Sequence, residues 1–275
     1  MRKRGRPALA SSTASRRRVI RLINDLPRTI NSRIVSLGAT LAPMNPNTLL
    51  PHDSTPPATQ TRSVIPLWLK LAYTAFLAVL IPVYWANYGP TNFLYFCDVA
   101  LLITLYAVWT ENKTAASMAA VGILLPQVFW CLDFGMQLIR MMKGAAHSGM
   151  TAYMFDSNKP LFLRGLSLFH GWLPFLLVFL IARLGYDSRA LRKWTGLAWS
   201  LCIFAFFALP PAGAKLADPN TPVNLNYVFG LDDTQPQQWM PQGVYLVVWM
   251  LALFSLAYLP THLLLKKLAT RRNSR

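Results

Sequence analysis

Six runs of apolar residues, roughly 64–88, 92–109, 115–139, 163–184, 194–211 and 241–264, follow about sixty residues that hold no such run. Each run is about 18–25 residues, enough for a helix to cross a hydrocarbon core of about 30 Å. Inside lipid every backbone group must bond within its own segment, so these runs form helices. Polar residues do not return every three to four positions, as they do on the wet face of a soluble bundle. The pattern predicts an all-α polytopic membrane protein. Its bundle of six transmembrane helices occupies residues 64–268. A disordered basic arm with a Pro/Thr-rich linker precedes it (1–63), and a basic cytoplasmic tail closes it (269–275).

Composition strengthens this reading. The 275 residues are 54% hydrophobic and 13% charged, about half the charge of an ordinary soluble domain. Nothing suggests a second folded domain.

The net charge of +17 is unevenly placed. Residues 1–63 hold eleven of the 27 Lys/Arg and only Asp25 and Asp53 as acids. This arm lacks aromatic interleaving and any DNA-binding signature, which argues against a nucleic-acid partner. Anionic lipid headgroups suit it better. Its Arg-, Ser- and Thr-rich, acid-poor composition also matches a transit peptide, or an over-extended start with Met44 as a later one. Arg16 and Arg17 faintly resemble a twin-arginine signal, but no apolar core follows them. Residues 42–63 read as a linker.

Lys and Arg placement sets the expected topology. With the N-terminus inside, the cytoplasmic face takes the arm, Lys113, Arg183, Arg189, Arg192, Lys193 and the Lys266–Arg275 tail. The outer loops take 87–91, 140–162 and 212–240, where only Arg140, Lys143, Lys159, Arg164 and Lys215 lie at or near the loops. Six crossings with both termini cytoplasmic fit a bacterial inner membrane. The oligomeric state is not legible.

Three cysteines, each inside an apolar run, argue against a disulfide framework. Cys131 and Cys202 read as small hydrophobes. Cys97 has Asp98 beside it. At 1.5 Å per residue, Cys97 is about 8 Å below the outer interface, Asp133 about 9 Å and His170 about 6 Å. Polar groups from three helices therefore share one level, while the cytoplasmic half carries no such collection. Ionisable groups in a membrane are costly and mark a site by default. The structural alternative is that Asp98 and Asp133 satisfy a polar core, with His170 as a packed partner. Ser167 lies one turn above His170, and Pro174 follows it. In the turn before the second run, Thr91 or Asn92 can cap the helix. The apolar stretch 153–164 reads either as an interfacial lid or as a loop packed on helix ends, with Arg164 or tryptophan N–H groups as partners for Asp156.

No cofactor is implied. His52 and His147 lack companions for zinc, and no phosphate loop, nucleophile elbow or HExxH helix occurs. A thiol, an imidazole and a carboxylate suit nucleophilic acyl chemistry instead. Their level is that of phospholipid ester carbonyls, which makes membrane lipids the expected partner.

Three segments carry a resemblance: 92–109 (NFLYFCDVALLITLYAVW), 166–186 (LSLFHGWLPFLLVFLIARLGY) and 224–229 (NLNYVF). In this order they resemble landmarks of the transmembrane protein 164 family and its bacterial YwaF-like relatives. The resemblance spans about 170 residues, without the arm. It implies six helices and acyl transfer between phospholipids, with the family's Cys on Cys97, its His on His170 and its Asn-Tyr pair on Asn226 and Tyr227. The chain departs from the family in lacking a His close to the Cys. The expected catalytic set is Cys97 as nucleophile, His170 as base, and Asp98, Asp133 or Asn226 as orienting group or oxyanion donor. Asn226, Tyr227, Trp130 and Ser167 form the expected substrate-binding wall. The competing expectation is a non-enzymatic assembly subunit or transporter.

Overall fold

The computed structural model describes residues 63–146 and 149–273. The arm, and with it the transit-peptide, early-start and headgroup expectations, lies outside the described residues, as do His52 and His147. Among the described residues every regular element is helical, with no strand. In chain order α1 is Leu67–Tyr88, α2 Phe96–Thr110, α3 Lys113–Met142, α4 Leu161–Leu166, α5 Phe169–Leu184, α6 Ala190–Ala208, α7 Gln242–Ala252 and α8 Leu259–Asn273. Short 3-10 turns occupy Pro90–Leu94, Ala152–Phe155 and Leu225–Tyr227.

Four stretches are long and apolar enough to cross a membrane: Leu67–Tyr88, Lys113–Met142, Leu161–Leu184 and Gln242–Arg271. The other two expected runs fall on α2 and α6. Helix α2 has 15 residues, about 22 Å of rise, because the first residues of the run form the 3-10 turn instead. Helix α6 has 19 residues, with Arg192 and Lys193 in its first turn.

Local chemistry explains the breaks. Helix α1 ends at Gly89, whose φ of 76° is open to glycine. Glu111, left-handed at φ 51°, closes α2. The Asn112 side chain then caps α3 by accepting the Ala115 N–H at 2.9 Å. A π-turn, Leu253–Tyr258, separates α7 from α8. Pro260 lies just beyond it, and a proline ring cannot sit against the carbonyl four residues back in a regular α-helix.

Helix α3 is the centre of the bundle. Of its apolar stretch 56% is buried, against 28–33% in the other three. Its first half runs through Ala115, Ala116, Ser117, Ala119, Ala120, Val121 and Gly122, small residues that admit neighbours closely. The fully buried Trp194 ring of α6 lies directly on Gly122.

The end from which α1 starts is stitched by polar groups. Glu111 accepts from Lys70 Nζ (2.9 Å), the Val64 N–H (3.0 Å), the Ile65 N–H (3.1 Å) and the Ser63 hydroxyl. Asp187, between α5 and α6, pairs with Arg189 at 2.8 Å and accepts from the Thr114 hydroxyl. The Arg189 guanidinium is the main cause holding the Asp187 carboxyl below its usual range. Tyr186 and His262 Nδ1 meet at 2.6 Å, joining the α5–α6 connection to α8. The expectation that this half carries no polar collection is therefore corrected. Its members come from four separate segments (Ser63 and Lys70, Glu111 and Thr114, Tyr186 to Arg189, and His262), and no single stretch of sequence advertises them.

Candidate functional site

At the opposite end of the bundle, α2 begins where another loop holds it. Tyr95 is extended, and Cys97 and Asp98 occupy the first turn of α2. Neither Thr91 nor Asn92 caps this helix. Asn226 does so from 130 residues away: its Oδ1 accepts the Phe96 N–H at 3.1 Å and its Nδ2 donates to the Leu94 carbonyl at 3.0 Å. Its own carbonyl accepts from Trp249 Nε1 at 2.9 Å. To reach this position the loop takes left-handed backbone at Asn224, Asn226 and Tyr227, a conformation asparagine tolerates best. Asn224 braces the loop further, donating to the Gly230 carbonyl at 2.9 Å and accepting the Phe229 N–H at 2.9 Å.

The Cys97 thiol makes a long contact, 3.6 Å, to Asp98 Oδ2, and Asn92 Nδ2 lies 3.5 Å from the same oxygen. Asp98 is 3% exposed, and its Oδ1 has no hydrogen-bond partner. A buried carboxyl oxygen without a donor is costly.

His170 lies in the first turn of α5. Its Nδ1 is 2.7 Å from the Ser167 carbonyl oxygen. A carbonyl only accepts, so Nδ1 carries a proton, and in the neutral ring Nε2 keeps its lone pair. The ring is clamped in place, stacked on Trp130 (4.7 Å between centroids, 14°) and Phe169 (4.0 Å, 28°). Trp130 stacks in turn on Phe134, and Phe134 on Phe155. The chain 152–155 is thereby drawn over the helix ends.

The Tyr84 hydroxyl is 2.8 Å from Ser167 Oγ. Ser167 is thus held twice, its hydroxyl by Tyr84 and its carbonyl by His170 Nδ1. Tyr227 follows Asn226 in the loop that holds the start of α2, where Cys97 and Asp98 lie. No hydrogen bond joins Cys97 to His170.

Asp133 has a different task. Its Oδ2 accepts the Thr151 N–H at 2.8 Å and the Thr151 hydroxyl at 2.7 Å. It anchors the loop after α3 and makes no hydrogen bond to His170. Asn226 likewise has both side-chain functions committed to α2. Arg164 donates to the carbonyls of Met154 (2.8 Å) and Lys159 (3.0 Å), while Asp156 accepts from the Asn158 N–H.

Sequence reasoning missed Tyr84 and Tyr88, and it read Asn92 only as a possible cap. Tyr84 and Tyr88 are four apart on α1 and so share one helix face. Among the described residues no three His, Cys, Asp or Glu side chains gather to hold a metal ion. Comparisons with protein-family models, characterised proteins and solved structures return no match.

Proposed function

We propose that this chain is an integral membrane enzyme that crosses the bilayer six times and moves or hydrolyses an acyl group of a membrane lipid. Four apolar stretches carry the membrane assignment. Crossing by α2 is supported by Glu111: it closes α2 yet bonds Ser63, Val64 and Ile65 ahead of α1, so α2 returns along the length of α1. Crossing by α6 is supported by its two ends. Asp187, before α6, is tied to Thr114 at the start of α3, while Asn224, beyond α6, accompanies Asn226 at the opposite end. Charge placement orients both termini to the cytoplasm, as in a bacterial inner membrane.

One observation carries the chemistry. His170 is fixed by Ser167 and by ring stacking in the form whose Nε2 can take a proton, at the end of the bundle that holds Cys97. In this reading the Cys97 thiol gives its proton to His170, and the sulfur adds to an ester carbonyl of the lipid. The tetrahedral intermediate then collapses, the carbon–oxygen bond to the lysolipid breaks, and His170 protonates the departing oxygen. A second hydroxyl, from a lipid or from water, attacks the Cys97 thioester and restores the thiol. Tyrosine hydroxyls are the available donors to the oxyanion. The order of Cys97, His170 and Asn226-Tyr227 resembles the transmembrane protein 164 and YwaF-like pattern, which agrees with this chemistry. Asp133 and Asn226 are assigned to scaffolding.

The test replaces Cys97 and His170 separately with Ala. Altered cellular lipid profiles in both variants, with loss of Cys97 labelling by a thiol-reactive lipid analogue, support the reading. Unchanged lipids alongside an unreactive Cys97 reject it.

The second reading is a non-enzymatic subunit or transporter. It is favoured by the commitment of Asp133 and Asn226 to loop anchoring. A fixed partner that co-purifies with the Cys97→Ala variant as well as with the wild type would select it.

A further inference from the structure

Lys159 stands apart from the other cations of the loop end. It is partly buried, and its Nζ lies 5.1 Å from the centroid of the Tyr88 ring. Its backbone is fixed on both sides: the Lys159 N–H donates to the Asp156 carbonyl at 3.1 Å, and its own carbonyl accepts from Arg164 Nε at 3.0 Å. Lys159 takes part in neither the Lys70–Glu111 nor the Arg189–Asp187 ion pair, and among the described residues no carboxylate bonds its ammonium. The nearest acid in sequence, Asp156, accepts from the Asn158 N–H.

What lies behind this ammonium gives it meaning. Tyr88 packs edge-on against Tyr84 (5.3 Å, 84°), and the Tyr84 hydroxyl meets Ser167. The Ser167 carbonyl accepts from His170 Nδ1 at 2.7 Å. From Lys159 the contacts thus run cation, aromatic face, hydroxyl pair, imidazole. A phospholipid carries its phosphate on one side of the glycerol and its ester carbonyls on the other, so the cation and the proposed base can meet the two groups. An unpaired ammonium at the rim satisfies a phosphate oxygen by a charge-assisted hydrogen bond. The ring behind it holds the side chain without competing for its donors.

We propose that Lys159, seated on Tyr88, binds the phosphate of a phospholipid headgroup and so selects phosphate-bearing lipids for the site beneath. The inference rests on the acyl-transfer reading for the nature of its substrate, but binding is measured without any turnover.

The probe is a dialkyl ether phosphatidylglycerol, which has no ester to cleave. It is compared with the matching dialkylglycerol, which lacks phosphate, and with inorganic phosphate. Binding to the purified full-length chain in neutral detergent is read by native mass spectrometry. The wild type is expected to prefer the ether phospholipid about tenfold over the dialkylglycerol, the scale of one charge-assisted hydrogen bond. Lys159→Gln is expected to abolish that preference, and Lys159→Arg to retain most of it. Tyr88→Leu, a change outside the loop, is expected to reduce it partially. A Lys159→Gln protein with wild-type thermal stability and undiminished preference overturns the proposal. Displacement of the ether lipid by inorganic phosphate at equal concentration assigns the site to free phosphate and overturns the lipid assignment. If Cys97→Ala leaves cellular lipids unchanged while the Lys159-dependent preference persists, the catalytic reading falls and the headgroup site stands.

Discussion

The side-chain oxygen of Asn226 accepts the backbone N–H of Phe96 at 3.1 Å, so the loop before α7 sets where α2 begins. The first residues of a helix have no intrahelical partner for their N–H groups. Here the partner is supplied across the bundle, and the amide nitrogen of the same side chain pins the Leu94 carbonyl. Cys97 and Asp98 inherit their positions from this staple.

Asn226→Ala removes both bonds and leaves a partly buried N–H and C=O without partners. A loss of about 1–3 kcal/mol is expected. Asn226→Asp keeps the acceptor but loses the donor, and it should fall between the wild type and Ala. The measurement is the thermal midpoint of the detergent-solubilised protein. A midpoint for the Ala variant equal to that of the wild type would contradict the staple.

Much of the fold was legible because lipid imposes one rule on the backbone: the four longest apolar stretches match the helices long enough to cross. The start of α2 was not legible. The run 92–109 looks continuous, and only Asn226, distant in sequence, shows that it is a 3-10 turn, an extended residue and then a helix. The site was legible in part for a related reason. Depth along separate helices brought Cys97, Asp98 and His170 to one end, but depth says nothing of rotation about the helix axis. Partners were therefore misassigned: Asp133 answers to Thr151 and Asn226 to Phe96. Tyr84 went unnoticed because an aromatic side chain inside an apolar run has a ready explanation as core.

Gly122 is required by Trp194. A methyl group at Gly122 would stand 2.0 Å from Trp194 Cε2, and that ring is fully buried. Gly122→Ala is expected to destabilise the bundle by at least about 1–3 kcal/mol, the usual scale of overpacking. Trp194→Phe should cost stability alone yet relieve part of the Gly122→Ala loss. Thermal denaturation of the four members of this double-mutant cycle tests the coupling. Strict additivity would show that the two side chains do not share the space.

Glu111 makes the start of α1 sensitive to acid. Burial acts to raise its pKa, but hydrogen bonds from Ser63, Val64, Lys70 and Ile65 outweigh this and hold it at about 2. A folded pKa below the unfolded value means the contribution is complete above about pH 4.5 and is lost as pH falls toward about 2. The protection of the backbone amides of 64–70, measured as exchange relative to the intrinsic rate at each pH, is expected to fall over this interval in the wild type. In Glu111→Gln exchange should be faster at neutral pH, and the protection that remains should not change over the same interval. Equal exchange in the two proteins at pH 7 would remove Glu111 from this role.

The three cysteines should separate by accessibility. Cys202 is fully buried in a second apolar cluster, with Leu225, Val228, Leu246 and Met250 around it. Cys131 is exposed, and Cys97 is intermediate between them. A small membrane-permeant maleimide is expected to modify Cys131 before Cys97, and to leave Cys202 untouched while the bundle is intact. Replacing Cys131 and Cys97 by Ser then leaves one thiol, which reports only on opening of the α6–α7 contact. Because that thiol sits among side chains from α6, the 3-10 turn at Leu225–Tyr227 and α7, its labelling should rise in a single step at the temperature where helical signal is lost. Labelling of Cys202 well below that temperature would show that this cluster opens apart from the rest of the bundle.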